Sequence, residues 1–246
     1  MSDELSYGDV YASIYEEYTT LQGKVAEVDE TVAFLERYCN GGSALELGIG
    51  DGRVAVPLSE RGVNVEGIDN SSSMLKLLAK RTDLIKAWQG DIAHFRSEQQ
   101  YSMVYCVYHT LSLLLTRKSQ IACLRSAAAA LEDEGVLVIE LSVPCSIPLV
   151  GGQGTATARL VDDENTIISV GAHDPVNQTL VQTVLWFSGT SVRRLPQRSR
   201  YVYPQELDTM AECVGLELAE RWGDWAKGAF TERSERHISV YRRSSP

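Results

Sequence analysis

The segment Glu46-Leu47-Gly48-Ile49-Gly50-Asp51-Gly52 sets three glycines at alternate positions behind an acid. Glycine lets a backbone turn sharply and come close to a ligand where a Cβ would collide. Asp69 closes an apolar run, and Gly90-Asp91-Ile92 forms a turn after another. A carboxylate at the end of a strand can accept two hydrogen bonds at once. His109 stands just past a further apolar run, where an imidazole titrating near neutral pH suits a general base. A dinucleotide fingerprint would place its third glycine at position 53, which is Arg53 here.

These residues need a scaffold, and the order of elements supplies one. Apolar residues recur at helical spacing from Tyr11 to Tyr38, followed by the loop Asn40-Gly41-Gly42. Ser43 to Leu47 reads as a buried strand, Arg53 to Arg61 as a helix closed by Gly62, and Val63 to Ile68 as a second strand. Ser71 or Ser72 caps the next helix, whose Met74, Leu75, Leu77 and Leu78 make an apolar stripe. Lys86 to Gln89, Tyr101 to Val107 and Gly135 to Leu141 read as further strands, with a helix from Ser119 to Leu131. This alternation predicts an α/β fold: a doubly wound, mostly parallel seven-stranded sheet.

After Pro144 the texture changes. Ala156 to Leu160, Thr166 to Val170 and Thr179 to Phe187 read as three strands separated by the turn sequences Asp162-Asp163-Glu164-Asn165 and His173-Asp174-Pro175. They predict an inserted antiparallel β cap. Pro204 starts a helix ended by Gly215, and strands at Leu216 to Arg221 and His237 to Arg242 follow. The expected division is 1–40 as N-terminal lid helices, 41–145 as a ligand-binding core, 146–200 as the cap, and 201–246 completing the sheet.

The acid-x-Gly-x-Gly-x-Gly pattern, Asp69, and Gly90-Asp91-Ile92, in this order, resemble the motifs of class I S-adenosylmethionine-dependent methyltransferases. The resemblance is specific over residues 43 to 107 and loose beyond Pro144. It implies a Rossmann-like methyltransferase fold with S-adenosylmethionine as cofactor. Glu46, Gly48, Gly50 and Gly52 would then pack against its amino-acid part. Asp69 would take both ribose hydroxyls, with Asn70 and Met74 lining ribose and adenine. Asp91 would accept from the adenine amino group, Ile92 would offer its backbone amide, and Val107 would extend the wall. Tyr15-Glu16-Glu17-Tyr18 resembles the Tyr-Asp-x-x-Tyr lid helix of small-molecule methyltransferases, with Glu16 in place of the aspartate. Tyr15 is carried across as a residue touching cofactor or acceptor. The layout of lid helix, cofactor domain and inserted strands resembles the methyltransferases of nucleotide-linked aminosugars.

In-line methyl transfer asks a protein to align the nucleophile with the methyl group, exclude water and take up a proton. His109 is the expected base, and Tyr108 and Ser142 lie at the same strand ends. Trp222, Trp225 and Phe230 are expected to wall an apolar or aromatic acceptor. His94 and His173 fall in turns and are expected to be solvated, and His237 is expected to be structural. The leading expectation is methylation of nitrogen or oxygen on a small, specialised-metabolite acceptor. Oxygen or carbon methylation of an aromatic or indole-like ring stands as an alternative. A nicotinamide-dependent oxidoreductase and a non-catalytic cofactor-binding relative remain open at this point.

Composition narrows the partners. The 33 acids and 23 bases give a formal charge of -10, which repels a phosphate backbone, so no nucleic-acid partner is expected. No uncharged apolar run reaches the roughly 18–20 residues of a membrane helix, so no membrane partner is expected. The acidic, non-apolar start lacks the pattern of a signal or transit peptide. Five scattered cysteines without metal-ligand spacing read as reduced thiols, so the expectations are a cytoplasmic chain and no metal. Exposed strand edges in the cap suit a homodimer.

Overall fold

The computed structural model describes residues 7–21, 27–39, 41–144 and 154–244. Asn40 of the expected loop, Cys145, and the first part of the expected cap (146–153) lie outside the described residues. The N-terminal region forms α1 (Tyr7–Tyr11), α2 (Tyr15–Leu21) and α3 (Val28–Cys39) where helical spacing runs from Tyr11 to Tyr38. A turn at Ala12–Ile14 breaks the first two apart, because their tyrosines fold onto a roof elsewhere in the molecule.

Strands β1 (Ser43–Leu47), β2 (Asn64–Asp69), β3 (Lys86–Gln89), β4 (Tyr101–Cys106) and β5 (Leu131–Ser142) alternate with α4 (Ala55–Glu60), α5 (Ser72–Arg81) and α6 (Arg117–Ala130). The chain then forms the cap strands β6 (Thr155–Val161), β7 (Asn165–Asp174), β8 (Thr179–Ser188) and β9 (Ser191–Arg200). It closes with α7 (Pro204–Glu212), β10 (Leu216–Trp222) and β11 (Arg236–Arg243). The main sheet has the order β10-β11-β5-β4-β1-β2-β3. β1 to β5 pair in parallel, while β11 runs antiparallel to both β5 and β10. Strand order therefore reverses between β1 and β4, and the crevice beyond their carboxyl ends is where such sheets hold ligands.

Both faces of the sheet are sealed by separate apolar cores. Leu45, Leu47 and Ile139 pack towards α6 and α7, while Ala44, Tyr105 and Val138 pack towards α3 and α4. Local signals place the helices: Ser71 caps α5 by accepting from the Met74 amide at 3.2 Å, and Thr116 and Ser119 form a capping box at α6.

The cap is a four-stranded antiparallel meander where three strands are expected. The additional strand, β9, pairs with β8 along its whole length from Ser191 to Arg200. Its sequence carries four arginines and Pro196, and it lies at the sheet edge, where a residue without an N–H is tolerated. Trp186, Ile167, Val184 and Leu195 of the cap pack with Tyr11 and Tyr18 of the lid and Met74 of α5. Tyr7 stacks on Tyr11 at 4.3 Å, Tyr11 meets Tyr18 at 5.3 Å, and Tyr18 meets Trp186 at 6.3 Å. Lid and cap thus form one roof over the crevice.

Candidate active site

Below that roof lies a cavity of about 1240 Å³. Sites for one small molecule run to about 300–1,000 Å³, so there is room for two ligands side by side. At one end it is lined by Glu46, Gly48, Gly50, Asp69, Asn70 and Met74, then by Asp91, Ile92 and Val107. Tyr15, Tyr108, His109 and Ser142 line it towards the ends of β4 and β5.

The glycine loop is shaped by two demands. Gly50 has φ +56°, and a Cβ there would meet nothing within 4 Å on the protein, so its face is left open to the cavity it lines. Gly52 has φ +79° and turns the other way: a Cβ would collide with Leu78 of α5. Gly52 does not line the cavity, so its place is in packing the loop on α5 and not in touching a ligand.

Asp69 sits at the rim of this cradle. Its Oδ2 accepts the Gly50 N–H and its Oδ1 the Ser71 N–H, both at 2.8 Å. Burial lifts its carboxyl above the usual range, against the pull of those two amides. Each oxygen keeps further acceptor capacity, so the carboxylate can take two more donors from the cavity side. Glu46 is buried and receives the Tyr105 hydroxyl at 3.0 Å. Loss of hydration pushes its carboxyl up to about 8, despite Tyr105 and the Arg53 charge. Asp91 accepts the Ala93 amide at 2.8 Å, which fixes the turn after β3.

Arg53, which the sequence presents only as a departure from a dinucleotide pattern, is part of the site. Its guanidinium lies 3.7 Å from the centre of the Tyr108 ring and 5.8 Å from that of Tyr15. Its Nη1 is buried with no hydrogen-bond partner among the described residues, and the residue lines the cavity. A buried guanidinium N–H without an acceptor is costly, so it suits an anionic ligand group. Burial pushes the Tyr15 hydroxyl up to about 12, against the pull of Arg53, so it remains a donor at neutral pH.

The turn after β4 brings the expected base into place. Tyr108 and His109 have φ of 51° and 63°, a left-handed conformation that bulky residues hold only where surroundings impose it. Buried Glu140 imposes it: its Oε2 accepts the Tyr108 N–H at 2.7 Å, and its Oε1 receives Arg236 at 3.2 Å. Arg236 also pairs with Glu27 beside the lid. His109 Nε2 comes to 3.4 Å from the Ser142 hydroxyl. Glu140 reads in the sequence only as a strand residue; the one signal for it is a charge inside an otherwise apolar run.

Three expected acceptor residues lie elsewhere. Trp225 is buried edge-on against Phe34 at 5.3 Å, and Trp222 packs on the same core. Phe230 meets His237 at 6.0 Å. None of the three lines the cavity: Trp222 and Trp225 pack into the core on the α3 and α4 face of the sheet, and Phe230 packs on His237. His173 is also corrected. It is buried on β7, donates or accepts at 2.7 Å with the Tyr201 hydroxyl, and lines the cavity. His237 is fully buried, with Nδ1 2.8 Å from the Ser239 hydroxyl, and burial holds its pKa down near about 3.

A doubly wound sheet with this glycine loop at its switch point and acids ending β2 and following β3 is the arrangement of a class I methyltransferase. Residues 44–135 match the model of a methyltransferase domain family. The chain is 35% identical to the CcbJ methyltransferase from Streptomyces caelestis, covering 99% of this chain and 100% of that one with a TM-score of 0.91. It is also 24% identical to the cypemycin N-terminal methyltransferase of a Streptomyces species, across 99% of this chain and 100% of that protein. A third relative, 24% identical over 69% of this chain and 70% of its own length, is the dTDP-3-amino-3,4,6-trideoxy-alpha-D-glucopyranose N,N-dimethyltransferase of Streptomyces venezuelae. The chain belongs to the S-adenosylmethionine-dependent methyltransferases, which sets aside the nicotinamide-dependent oxidoreductase. No helix among the described residues is long and apolar enough to cross a membrane.

Proposed function

We propose that this enzyme methylates a nitrogen or oxygen of a small-molecule acceptor held between the carboxyl ends of β4 and β5 and the cap. The observation that carries this reading is the single cavity reaching from the Gly50–Asp69 cradle to His109 and Ser142, with volume for cofactor and acceptor together. The residues fit the cofactor: the face of Gly50 is open, Asp69 has acceptor capacity towards the cavity, and Arg53 carries a buried N–H without a partner. Asp69 would hold the ribose hydroxyls, Asp91 and Ile92 the adenine, and Glu46, Arg53 and the glycine loop the amino-acid end. When bound, S-adenosylmethionine supplies an electrophilic methyl group on a sulfonium.

The chain's own contribution is alignment and proton handling. Glu140 fixes the left-handed turn that presents His109 to the acceptor side. His109 takes the proton from an acceptor N–H or O–H, and Ser142 orients the ring. Tyr15, protonated at neutral pH, donates to cofactor or acceptor. The lid and cap exclude water, which strengthens each of these interactions. One relative is named as an N,N-dimethyltransferase of an amino-bearing molecule and another as an N-terminal methyltransferase, which favours nitrogen over oxygen here. The aromatic-acceptor alternative loses its main support with Trp222, Trp225 and Phe230 outside the cavity. The outer face of the cap exposes Val170, Val181 and Val192, an apolar surface that supports a homodimer through this sheet.

Calorimetric titration with S-adenosylmethionine, followed by mass spectrometry of an amine and alcohol acceptor panel, tests the proposal. Micromolar cofactor binding and a mass gain of one methyl on an amine or hydroxyl acceptor are expected. Methylation confined to carbon, or saturable binding without product across the panel, would overturn it.

A further inference from the structure

The inner face of the cap changes chemistry along its strands. Towards the lid it is apolar: Ile167, Val184, Trp186 and Leu195 are buried against the tyrosines. Towards the other end it is polar. Register places Thr155, Gly171, Gln182 and Gln197 side by side across all four strands, and His173, Leu180 and Ser199 in the next row. These residues and Ser169 line the cavity. Ser169, His173 and Ser199 are each only 8% exposed.

This polar row has the marks of a built surface. A Cβ on Gly171 would come within 3.0 Å of the Gln182 Cγ, so the missing side chain lets Gln182 lie across the sheet. His173 is held by Tyr201 through Nε2, while its Nδ1 is buried without a hydrogen-bond partner among the described residues. Tyr201 follows β9, whose last residue, Arg200, is tied to Gln120 of α6 at 2.6 Å and to Glu206 of α7 at 2.6 Å. The polar end of the cap is therefore pinned to the core and pre-organised, which lowers the ordering cost of binding.

Amide, hydroxyl and imidazole groups each donate and accept without a fixed charge, and that is the complement of hydroxyls. An apolar group pressed against this face would leave these side chains unpaired, which sites of this kind reject strongly. Arg159 and Arg198 also line the cavity, but as exposed residues: by alternation Arg198 belongs to the outer face, and both charges stay in solvent and not in the buried polar row. We propose that the polar half of the cap's inner face binds an uncharged, hydroxyl-rich portion of the acceptor, with Gln182, Gln197 and His173 as specificity-determining residues. This rests on the reading of the cavity as a small-molecule methyltransferase site.

The test is calorimetric titration of the whole protein, saturated with S-adenosylhomocysteine, using three probes: 3-amino-3-deoxyglucose, tryptamine and uridine diphosphate glucosamine. The amino sugar is expected to bind more tightly than tryptamine and at least as tightly as the diphosphate. Its Kd should rise about tenfold in each of Gln182→Leu, Gln197→Leu and His173→Leu, the scale of one lost hydrogen bond to a polar site. S-adenosylhomocysteine affinity should stay within about twofold, because these side chains line the acceptor end. Gln182 is only half-buried, so its variant keeps the test sound if the His173 variant fails to fold. Absence of amino-sugar binding, clearly tighter binding of tryptamine or of the diphosphate, or unchanged Kd in the variants would overturn the inference. Methyl transfer to tryptamine alone would leave the proposed function standing while sinking this one. Failure of S-adenosylmethionine itself to bind would strike the proposed function.

Discussion

Replacing Glu46 by glutamine should stabilise the ligand-free protein, and by an amount that depends on pH in a defined way. Glu46 is buried, and its carboxyl is raised from 4.5 to about 8 by loss of hydration. The folded state therefore holds a proton that the unfolded state releases, so the unfolded state gains as pH rises from about 4.5 to about 8. Below that window both states are protonated and the group costs nothing; above it the full cost remains. Linkage puts this cost at about 3 kcal/mol at pH 7. Glutamine keeps an acceptor for the Tyr105 hydroxyl, now 3.0 Å from Glu46, and carries no charge to bury. Urea denaturation at pH 4, 5, 6, 7 and 8 should give nearly equal stabilities at pH 4. Glu46→Gln should then lead by an increasing margin, reaching about 3 kcal/mol at pH 7. A margin that is the same at every pH would refute the reasoning, and so would a less stable variant at pH 8. The same substitution should weaken S-adenosylmethionine binding, since a carboxylate able to ionise beside a cationic ligand is lost. An acid that destabilises the empty enzyme is retained where it meets its ligand.

Asp69→Ala should weaken S-adenosylhomocysteine binding by ~1–3 kcal/mol in calorimetry, through loss of a charged acceptor for buried hydroxyls; unchanged affinity would remove Asp69 from the ribose site. His109→Ala should lower turnover about 100-fold while cofactor affinity stays within about twofold, and equal losses in both would mark a structural role instead. Burial holds His237 near about 3, below its ordinary 6.5, so its contribution to stability is complete above 6.5 and is lost as pH falls towards 3. Denaturation at pH 7 and pH 5 should show a loss of about 2 kcal/mol from this group that disappears in His237→Leu. Persistence of the whole acid loss in that variant would place it elsewhere.

Read alone, the amino-acid sequence defined the core and the loops at the carboxyl ends of its strands, because that information is local. Short apolar runs ending in Gly48, Asp69 and Gly90 specify parallel strands, and a parallel sheet gathers all their carboxyl ends at one edge whatever the details of packing. Even without side-chain directions, the glycine loop, Asp69 and Asp91 had to meet there. Tertiary structure decided the rest. β9 is rich in arginine and interrupted by Pro196, and it is a strand only because β8 offers it a continuous partner. His173 reads as a turn residue, yet the register of β7 turns it onto the inner face of the cap. Trp222, Trp225 and Phe230 have the chemistry of an acceptor wall, but they pack on the α3 and α4 core and on His237 and do not line the cavity. Arg53 gains its place from the rings of Tyr15 and Tyr108, and Glu140 from a turn and an arginine far along the chain. Which face a side chain takes depends on pairing between distant segments, and a one-residue change of register reverses it. The end of the cavity lined by the glycine loop, Asp69 and Asp91 was therefore legible in short motifs, while its other end exists only where the N-terminal helices, cap and strand ends are brought together.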